Sequence, residues 1–378
     1  TVNDITNKTF CNGTSVSATP ISGPVSGTTF AWTNNNTAIG LGASGSGNIP
    51  AFTATNSTAN PITATITITP TASGCVGVQS TFTITVYPTP VLTSSLTPPA
   101  ICSGTEFSYD PTSSSAGVTF SWSRAAVTGI SNLAGSGTGN PHEILVNTTS
   151  NPVNVTYIYT LSANGCVNPV SYSVVVRVNP IPFLNTGTNF TICSGNLFSY
   201  TPTSATSGTT FSWVRPLVAG ISNAAGSGIG AISETLINTT NNSILITYTF
   251  TLTANGCTNS QNIVLTVKPT PTVDSISNQS YCKGIATSPI TFTGTVSGTT
   301  YSWTNNNTAI GLGASGTGNI PSFTTTNTTT SPITATITVT PRTPNPTGCE
   351  GLPVIFIITV YPTPTVNTIA DQVYCNGD

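Results

Sequence analysis

The sequence predicts an all-β chain, a tandem array of antiparallel β-sandwich domains. Two observations predict this class. Apolar and hydroxyl residues alternate in stretches such as ITATITIT at 62–69 and VTYIYTL at 155–161, and a period of two is typical of half-buried strands. Nearly the same twenty residues also occur at 26–45 and 297–316, which indicates a repeated module. We expect no helix.

Four segments of about ninety residues make up most of the chain. Each closes on a Pro-x-Pro sequence and holds one Trp and two Cys. The predicted repeats are 1–90, 91–182, 183–271 and 272–364, and a fifth copy starts at 365–378. About seven short strands around one Trp are typical of a sandwich of immunoglobulin type. We therefore expect the four indoles in the cores: Trp32, Trp122, Trp213 and Trp303.

The repeats are of two kinds, in the order A, B, B, A. The A repeats, the first and the fourth, share WTNNNTAIGLGAS, and the fifth copy starts like them. The B repeats share TFSW and an Arg two residues after the Trp, together with a later Glu. We expect Arg124 with Glu143, and Arg215 with Glu234, to form ion pairs between strands. A pair that contacts a sugar is the alternative.

The composition excludes several classes of partner. Only 4% of the residues are charged, with seven Lys and Arg against nine Asp and Glu, so no basic surface is available for nucleic acid. No apolar run reaches the roughly 20 residues of a transmembrane helix, so we expect no membrane insertion. The remaining surface is rich in hydroxyl and amide groups, and its low charge offers little resistance to lateral self-association.

The cysteines are expected to form disulfides, as in an exported protein. The two Cys of a repeat stand 64 residues apart in the first three repeats and 67 apart in the fourth. Our first choice is pairing within each repeat: Cys11–Cys75, Cys102–Cys166, Cys193–Cys257 and Cys282–Cys349. Cys375, in the fifth copy, is then unpaired by truncation. Greek-key topology leaves an alternative, because it places these two positions at opposite ends of a sandwich: a bond to the next repeat, such as Cys11–Cys166.

The ordered motifs CSGT, TTFSW, TANGC and a closing V-x-P-x-P, together with their variants in the other repeats, cover the whole chain. In this set the chain resembles the PKD-like, Ig-like repeats of giant surface proteins of gliding Bacteroidota, the SprB-type gliding-motility adhesins. The resemblance implies export by a type IX secretion system, an extracellular location at the cell surface, and an adhesive or filamentous role.

The sequence thus predicts a non-enzymatic stalk or filament segment of a large secreted adhesin, acting in surface adhesion or gliding motility. Its expected partners are neighbouring repeats, surface polysaccharide or other cells. The Pro-x-Pro linkers are expected to space the sandwiches semi-rigidly in an elongated rod, although simple strand termination also explains them. A self-assembling extracellular fibre or sheath, and a carbohydrate-binding array beside a secreted enzyme, are the alternatives.

No pattern of catalytic or cofactor-binding residues is found. Gly40 to Gly45 matches G-x-G-x-x-G, and Gly311 to Gly316 repeats it, but no βαβ unit surrounds either copy, so a glycine-rich strand or bulge is expected. His142 is the only His and is expected at the surface. Without C-x-x-C pairs we expect no metal, and we expect no cofactor.

Two residue types have both a structural and a carbohydrate interpretation. The Trp side chains are expected in the core, and the alternative is a stacking platform for sugar rings. N-x-[ST] recurs in every repeat, where Asx-turn chemistry is expected and glycosylation is the alternative. The Asn residues concerned are Asn56, Asn147, Asn238 and Asn327.

Overall fold

The computed structural model describes residues 1–344, 348–373 and 377. Within these ranges it contains strands, loops and two 3₁₀ turns, Thr37–Ile39 and Thr308–Ile310, and no α-helix. No helix in the described ranges is long and apolar enough to cross a membrane. The chain divides into two compact units, 1–181 with 255–257 and 182–254 with 258–378.

The 3₁₀ turns differ from the expectation that the chain has no helix. In the first repeat the Asn36 side chain accepts a hydrogen bond from the Ala38 backbone N–H at 3.2 Å, which caps the turn at its start. The sequence NNNTAIG of both A repeats therefore encodes one capped turn. The turn buries Ile39 completely.

Repeat 1 folds as a six-stranded sheet faced by a two-stranded one. The large sheet has the order β1-β8-β6-β3-β4, with β7 beside β6, and the small sheet pairs β2 with β5. All pairs are antiparallel except β1 with β8, which is parallel. The strands are β1 Lys8–Cys11, β2 Ser15–Val16, β3 Thr29–Asn34, β4 Ser44–Ser46, β5 Phe52–Thr53, β6 Ile62–Ala72, β7 Cys75–Val76 and β8 Ser80–Tyr87.

Repeat 2 has the same strand order. Its large sheet runs β12-β11-β14-β16-β9, with β15 beside β14, and β10 pairs with β13 in the small sheet. The last strand of the order, β9, is parallel to β16. The strands are β9 Ile101–Cys102, β10 Glu106–Phe107, β11 Thr119–Arg124, β12 Gly135–Thr138, β13 Glu143–Ile144, β14 Val153–Ala163, β15 Cys166–Val167 and β16 Tyr172–Asn179.

Repeat 3 keeps the order with a longer final strand. The large sheet is β17-β23-β22-β19-β20 and the small one is β18-β21. The strands are β17 Asn189–Cys193, β18 Leu197–Tyr200, β19 Thr210–Arg215, β20 Gly226–Ile229, β21 Ile232–Thr235, β22 Ile244–Ala254 and β23 Cys257–Lys268.

Repeat 4 has the large sheet β24-β28-β27-β25-β26. Its second layer is held by isolated bridges between Ala286 and Thr324 and between Ile290 and Ile320. The strands are β24 Gln279–Cys282, β25 Thr300–Asn305, β26 Ser315–Thr317, β27 Ile333–Arg342 and β28 Val354–Tyr361.

Each repeat has a hydrophobic core of its own, formed by the alternate positions of its strands. In β6, Ile66 and Ile68 are buried while the Thr residues between them are partly exposed. Four separate clusters of buried side chains occur, and each contains one Trp. The predicted all-β class of tandem sandwiches is confirmed. The repeat limits at 90, 182, 271 and 364 remain a prediction, and each cluster falls inside one of the four segments.

Candidate functional site

Three disulfides join successive repeats. Each links the first Cys of one repeat to the second Cys of the next, with Cα atoms 5.5 to 5.6 Å apart. The bonds are Cys11–Cys166, Cys102–Cys257 and Cys193–Cys349. The predicted pairing within each repeat, Cys11–Cys75, Cys102–Cys166, Cys193–Cys257 and Cys282–Cys349, is wrong. The alternative connectivity, of which Cys11–Cys166 was the example, is the one present.

Strand register is the reason that a repeat cannot bridge its own two cysteines. Cys11 lies opposite Tyr87, the last residue of β8, whereas Cys75 precedes β8. The two positions are therefore separated by at least the length of β8, about 23 Å at ~3.3 Å per residue. A disulfide requires Cα atoms within about 7 Å. Only a cysteine from another repeat can reach Cys11.

A tight hairpin presents the second Cys of each of the first three repeats. In repeat 2, Asn164 and Gly165 both have positive φ, 51° and 81°. Two consecutive positive φ values are the geometry of a type I′ turn, which favours Asn-Gly. The turn joins β14 to β15 and places Cys166 directly after it. The sequence SANGC therefore encodes a projecting tip with a cysteine at its base.

Hydrogen bonds accompany the disulfides at the same junctions. Asn179, opposite Cys102 in the strand register, donates its side-chain N–H to the carbonyl of Asn255 at 2.9 Å. Lys268, opposite Cys193, donates from Nζ to the carbonyl of Pro344 at 3.1 Å. In both junctions the residue opposite the first Cys thus donates to a carbonyl that lies a few residues before the bonded second Cys.

The prolines of two linkers are also held by side chains of the following repeat. Asn168 donates from Nδ2 to the carbonyl of Pro90 at 2.9 Å, in a buried position. Asn259 donates in the same way to the carbonyl of Pro182 at 2.9 Å. Because both Asn residues lie two positions after a bonded cysteine, each junction combines a disulfide with a fixed linker carbonyl.

Two cysteines of the described ranges are not bonded. Cys75 and Cys282 are free and exposed, although both were expected in disulfides. Their bonded counterparts Cys166 and Cys257 are 3% and 1% exposed. The prediction that Cys375 is unpaired lies outside the described residues.

The B repeats contain a buried ion pair. In repeat 2 the Arg124 guanidinium donates from Nε and Nη2 to the two carboxylate oxygens of Glu143, both at 2.8 Å. Its Nη2 also donates to the carbonyl of Leu133 at 2.6 Å. The Arg side chain is 1% exposed and the Glu side chain 19%. Repeat 3 repeats the pair with Arg215 and Glu234 at 3.0 Å.

A tyrosine that the sequence analysis did not identify completes this cluster. The Tyr157 hydroxyl donates to Glu143 at 2.6 Å, and Tyr248 does the same to Glu234. The hydrogen bond from Arg124 is the main cause that lowers the pKa of Glu143, and it outweighs burial. Burial, followed by the bond to the carboxylate, raises the pKa of Tyr157. The signal available in the sequence was a Tyr at this position in both B repeats.

The A repeats hold the equivalent loop without charge. Asn34, which takes the place of Arg124, donates from Nδ2 to the carbonyls of Leu41 at 2.9 Å and Gly42 at 3.3 Å. Its register partner is Ile66, where the B repeat has Tyr157. The two kinds of repeat thus use different side chains to fix the loop between the third and fourth strands of the sandwich. This distribution indicates a structural role for Arg124.

The four Trp residues are core residues, 3% to 8% exposed. Trp32 lies opposite Gly45 in the strand register. A Cβ on Gly45 would stand 2.3 Å from the indole Cζ2, so the glycine is required by the close approach of the ring. This packing accounts for the last glycine of the G-x-G-x-x-G match. The indoles of the B repeats make T-shaped contacts with Tyr157 and Tyr248, and all four Trp side chains are too deeply buried to be stacking platforms.

The Asn residues of the N-x-[ST] sequences are buried at 0% to 8% exposure. Asn147 donates from Nδ2 to the carbonyls of Asn151 and Val178 at 2.8 and 2.9 Å. Its Oδ1 accepts from the backbone N–H and the hydroxyl of Thr149, both at 2.8 Å. The side chain is saturated with hydrogen bonds, so it fixes a turn and has no free amide for a glycan.

Two further pairs of charged groups lie at the surface. His142 has a side chain that is 65% exposed and contacts Glu106 at 2.5 Å. Arg342 pairs with Glu350, and both are exposed. Among the described residues no group of three or more His, Cys, Asp or Glu could hold a metal ion.

These features define a tandem array of β-sandwich repeats joined by disulfides. The chain belongs to the PKD-like domain family, which matches residues 8–90, 99–182 and 190–271. No curated protein matches the chain.

Several solved structures of tandem β-sandwiches are similar at low identity. The protocadherin gammaB7 EC3–6 cis-dimer structure is 13% identical, covers 96% of this chain and 99% of that chain, and has a TM-score of 0.27. Drosophila N-cadherin EC1–4 is 9% identical over 95% and 99%, with a TM-score of 0.27. The I-band fragment I67–I69 from titin is 11% identical over 73% and 99%, with a TM-score of 0.34. Such scores carry no argument about function.

Proposed function

We propose that this chain is a load-bearing, non-enzymatic segment of an extracellular adhesin stalk, in which disulfides between repeats limit how far the chain extends under tension. The array of PKD-like repeats and its cysteines support a stalk in an oxidising compartment. The finer assignment, a type IX-secreted gliding-motility adhesin at the cell surface, rests on the resemblance of the repeats alone. We also propose the domain limits 1–90, 91–182, 183–271 and 272–364.

The observation that carries the proposal is the order of the disulfide loops along the chain. The first loop, Cys11–Cys166, ends before the third, Cys193–Cys349, begins. A covalent path therefore crosses the first disulfide, follows 27 residues from Cys166 to Cys193, and crosses the third disulfide to Cys349. This path carries the tension once the repeats are unfolded.

The covalent path is far shorter than the polypeptide it bypasses. Cys11 and Cys349 are 338 residues apart in the sequence, which is about 1,150 Å of extended chain at ~3.4 Å per residue. The bypass of 27 residues with its two disulfides extends to about 100 Å. Unfolding of every repeat would thus release little length. A stalk with this property transmits force without lengthening.

The bypass runs through paired strands. The segment from Cys166 to Cys193 comprises β15, β16, the linker and β17. β16 is hydrogen-bonded to β14 over seven residue pairs, and the carbonyl of Pro182 in the linker accepts from Asn259. The same contacts support the proposed semi-rigid linkers.

Single-molecule force spectroscopy tests this proposal with two matched variants. Removing the third disulfide by C193S and C349S leaves a shortest covalent path of 156 residues between positions 11 and 349. This path crosses Cys11–Cys166, runs back along the chain to Cys102, crosses to Cys257 and continues to position 349. The maximum extension should rise by about 440 Å at ~3.4 Å per residue. Removing the second disulfide by C102S and C257S deletes a loop of nearly equal size, 155 against 156 residues, yet leaves the bypass intact.

The expected result is a large gain in extension for the first variant and none for the second. Reductant should release the full length of the wild-type chain. Equal extensions for the two variants, or a wild-type chain that lengthens by hundreds of ångströms without reductant, would contradict the proposal.

A further inference from the structure

We propose that Cys75 and Cys282 each form a further inter-repeat disulfide. Each bonds the complementary cysteine of another PKD-like repeat. The partner of Cys75 would be a cysteine at the end of a first strand, and the partner of Cys282 would be a cysteine after a hairpin tip. A second copy of this chain offers both, so that copies join head to tail through Cys282 and Cys75.

Cys75 has the local structure of the bonded second cysteines. It follows a turn whose residues Ser73 and Gly74 have φ values of 51° and 79°. The corresponding turn before Cys166 has values of 51° and 81°, and Cys166 is bonded to Cys11. The same position is therefore ligated in the next repeat of this structure, and Cys75 presents the same tip.

Cys282 has the local structure of the bonded first cysteines. It ends β24, parallel to β28, and lies opposite Tyr361. Cys11 ends β1 in the same way and lies opposite Tyr87, and it is bonded. Three of the four first cysteines in this register are thus bonded to a following repeat.

The exposure of the residues at Cys75 and Cys282 shows that neither cysteine is covered by a bonded repeat. Cys75 is exposed, whereas Cys166, at the same position of repeat 2, is 3% exposed because repeat 1 is bonded to it. Beside Cys282, Tyr361 is 47% exposed. The equivalent residue of repeat 2, Asn179, is 6% exposed and donates to a hairpin carbonyl. The surface next to Cys282 is therefore uncovered where the equivalent surface of repeat 2 is covered by a hairpin tip that carries a cysteine.

The bond requires a disulfide oxidant. The thiolate of Cys75 attacks one sulfur of a small-molecule disulfide such as oxidised glutathione, which releases one glutathione thiol and leaves a mixed disulfide on Cys75. The thiolate of Cys282 from another repeat then attacks the Cys75 sulfur and displaces the second glutathione thiol. Two protein thiols are oxidised, one small disulfide is reduced, and two protons pass to the thiols that leave.

The experiment uses full-length chains with one reactive thiol each, in a C375S background that removes the ninth cysteine. C75S leaves Cys282, and C282S leaves Cys75. The two variants carry tags of different mass and are incubated separately and together in a glutathione redox buffer. Non-reducing electrophoresis and peptide mapping then count the dimers.

The proposal predicts that the mixture forms the Cys282–Cys75 heterodimer in about tenfold excess over both homodimers combined, where random thiol exchange gives equal amounts. Equal amounts, or no dimer under conditions that keep Cys11–Cys166 oxidised, would overturn it. The result does not depend on the load-bearing role, because a chain could join head to tail and still extend under force. The two proposals can therefore fail separately.

Discussion

Replacing Arg124 with Ala is expected to lower the free energy of local unfolding of repeat 2 by about 3 kcal/mol. The substitution removes two hydrogen bonds to Glu143 and one to the carbonyl of Leu133, and it leaves the carboxylate without a counter-ion. Breaking a buried pair from one side typically costs about 3–5 kcal/mol. The lower value applies because the Glu143 side chain is 19% exposed and retains some water.

Hydrogen exchange measured by mass spectrometry reads this change in the intact chain. Peptides that cover β11 and β14 should lose about 100-fold in protection, since each 1.4 kcal/mol corresponds to about a factor of ten. Peptides from β19 and β22 are an internal control, because the Arg215–Glu234 pair of repeat 3 is unchanged. Both sets are compared in the same sample.

A second variant separates the lost pair from the lost packing. R124A combined with E143L removes the orphaned carboxylate, so part of the protection should return, although the Tyr157 hydroxyl then loses its acceptor. A loss of less than about fivefold in R124A alone would refute the reasoning, since it would mean that the buried carboxylate does not need its counter-ion. Unchanged protection in the double variant relative to R124A would refute it too.

Three further predictions follow from the same contacts. The pKa of Glu143 is lowered in the folded state, so the unfolded chain binds more protons in acid. The contribution of Glu143 to stability is therefore lost as the pH falls below about 4.3. Hydrogen exchange measured against pH should show this loss of stability, and E143Q should make it smaller. G45A should lower the free energy of unfolding by about 2–3 kcal/mol, because the new Cβ would clash with Trp32. G42A, with no atom within 4 Å of the new Cβ, should lower it by less than about 1 kcal/mol. Equal urea midpoints for the two variants would contradict this. N147A should cost about 2–3 kcal/mol because it leaves the buried carbonyl of Val178 and the partly buried carbonyl of Asn151 without this donor, and mass spectrometry of the wild-type protein should find Asn147 without a glycan.

The strands and cores follow from the local pattern of the sequence. Stretches such as 62–69 alternate strictly, and the structure buries Ile66 and Ile68 while the Thr residues point outward. The Arg124–Glu143 pair was also predictable, since both residues recur together in the second B repeat. These properties depend on residues that are neighbours within one repeat, and the sequence spacing contains that information.

The disulfide connectivity could not be predicted with the same assurance because it depends on the parallel pairing of β1 with β8. That pairing places Cys11 beside the last residue of β8. The spacing of residues in the sequence does not determine at which edge of the sheet the first strand pairs. The hydrogen bond of Tyr157 to the ion pair was not predicted, for a related reason. An inward Tyr of β14 looks like any core aromatic until the carboxylate of Glu143 is placed beside its hydroxyl.

Non-reducing peptide mapping of the native chain tests the central claim most directly. Digestion without reductant should yield a peptide pair that joins Cys11 to Cys166, with corresponding pairs for Cys102–Cys257 and Cys193–Cys349. Recovery of Cys11 bonded to Cys75 would contradict the account, since that bond closes within one repeat and leaves no disulfide between that repeat and the next.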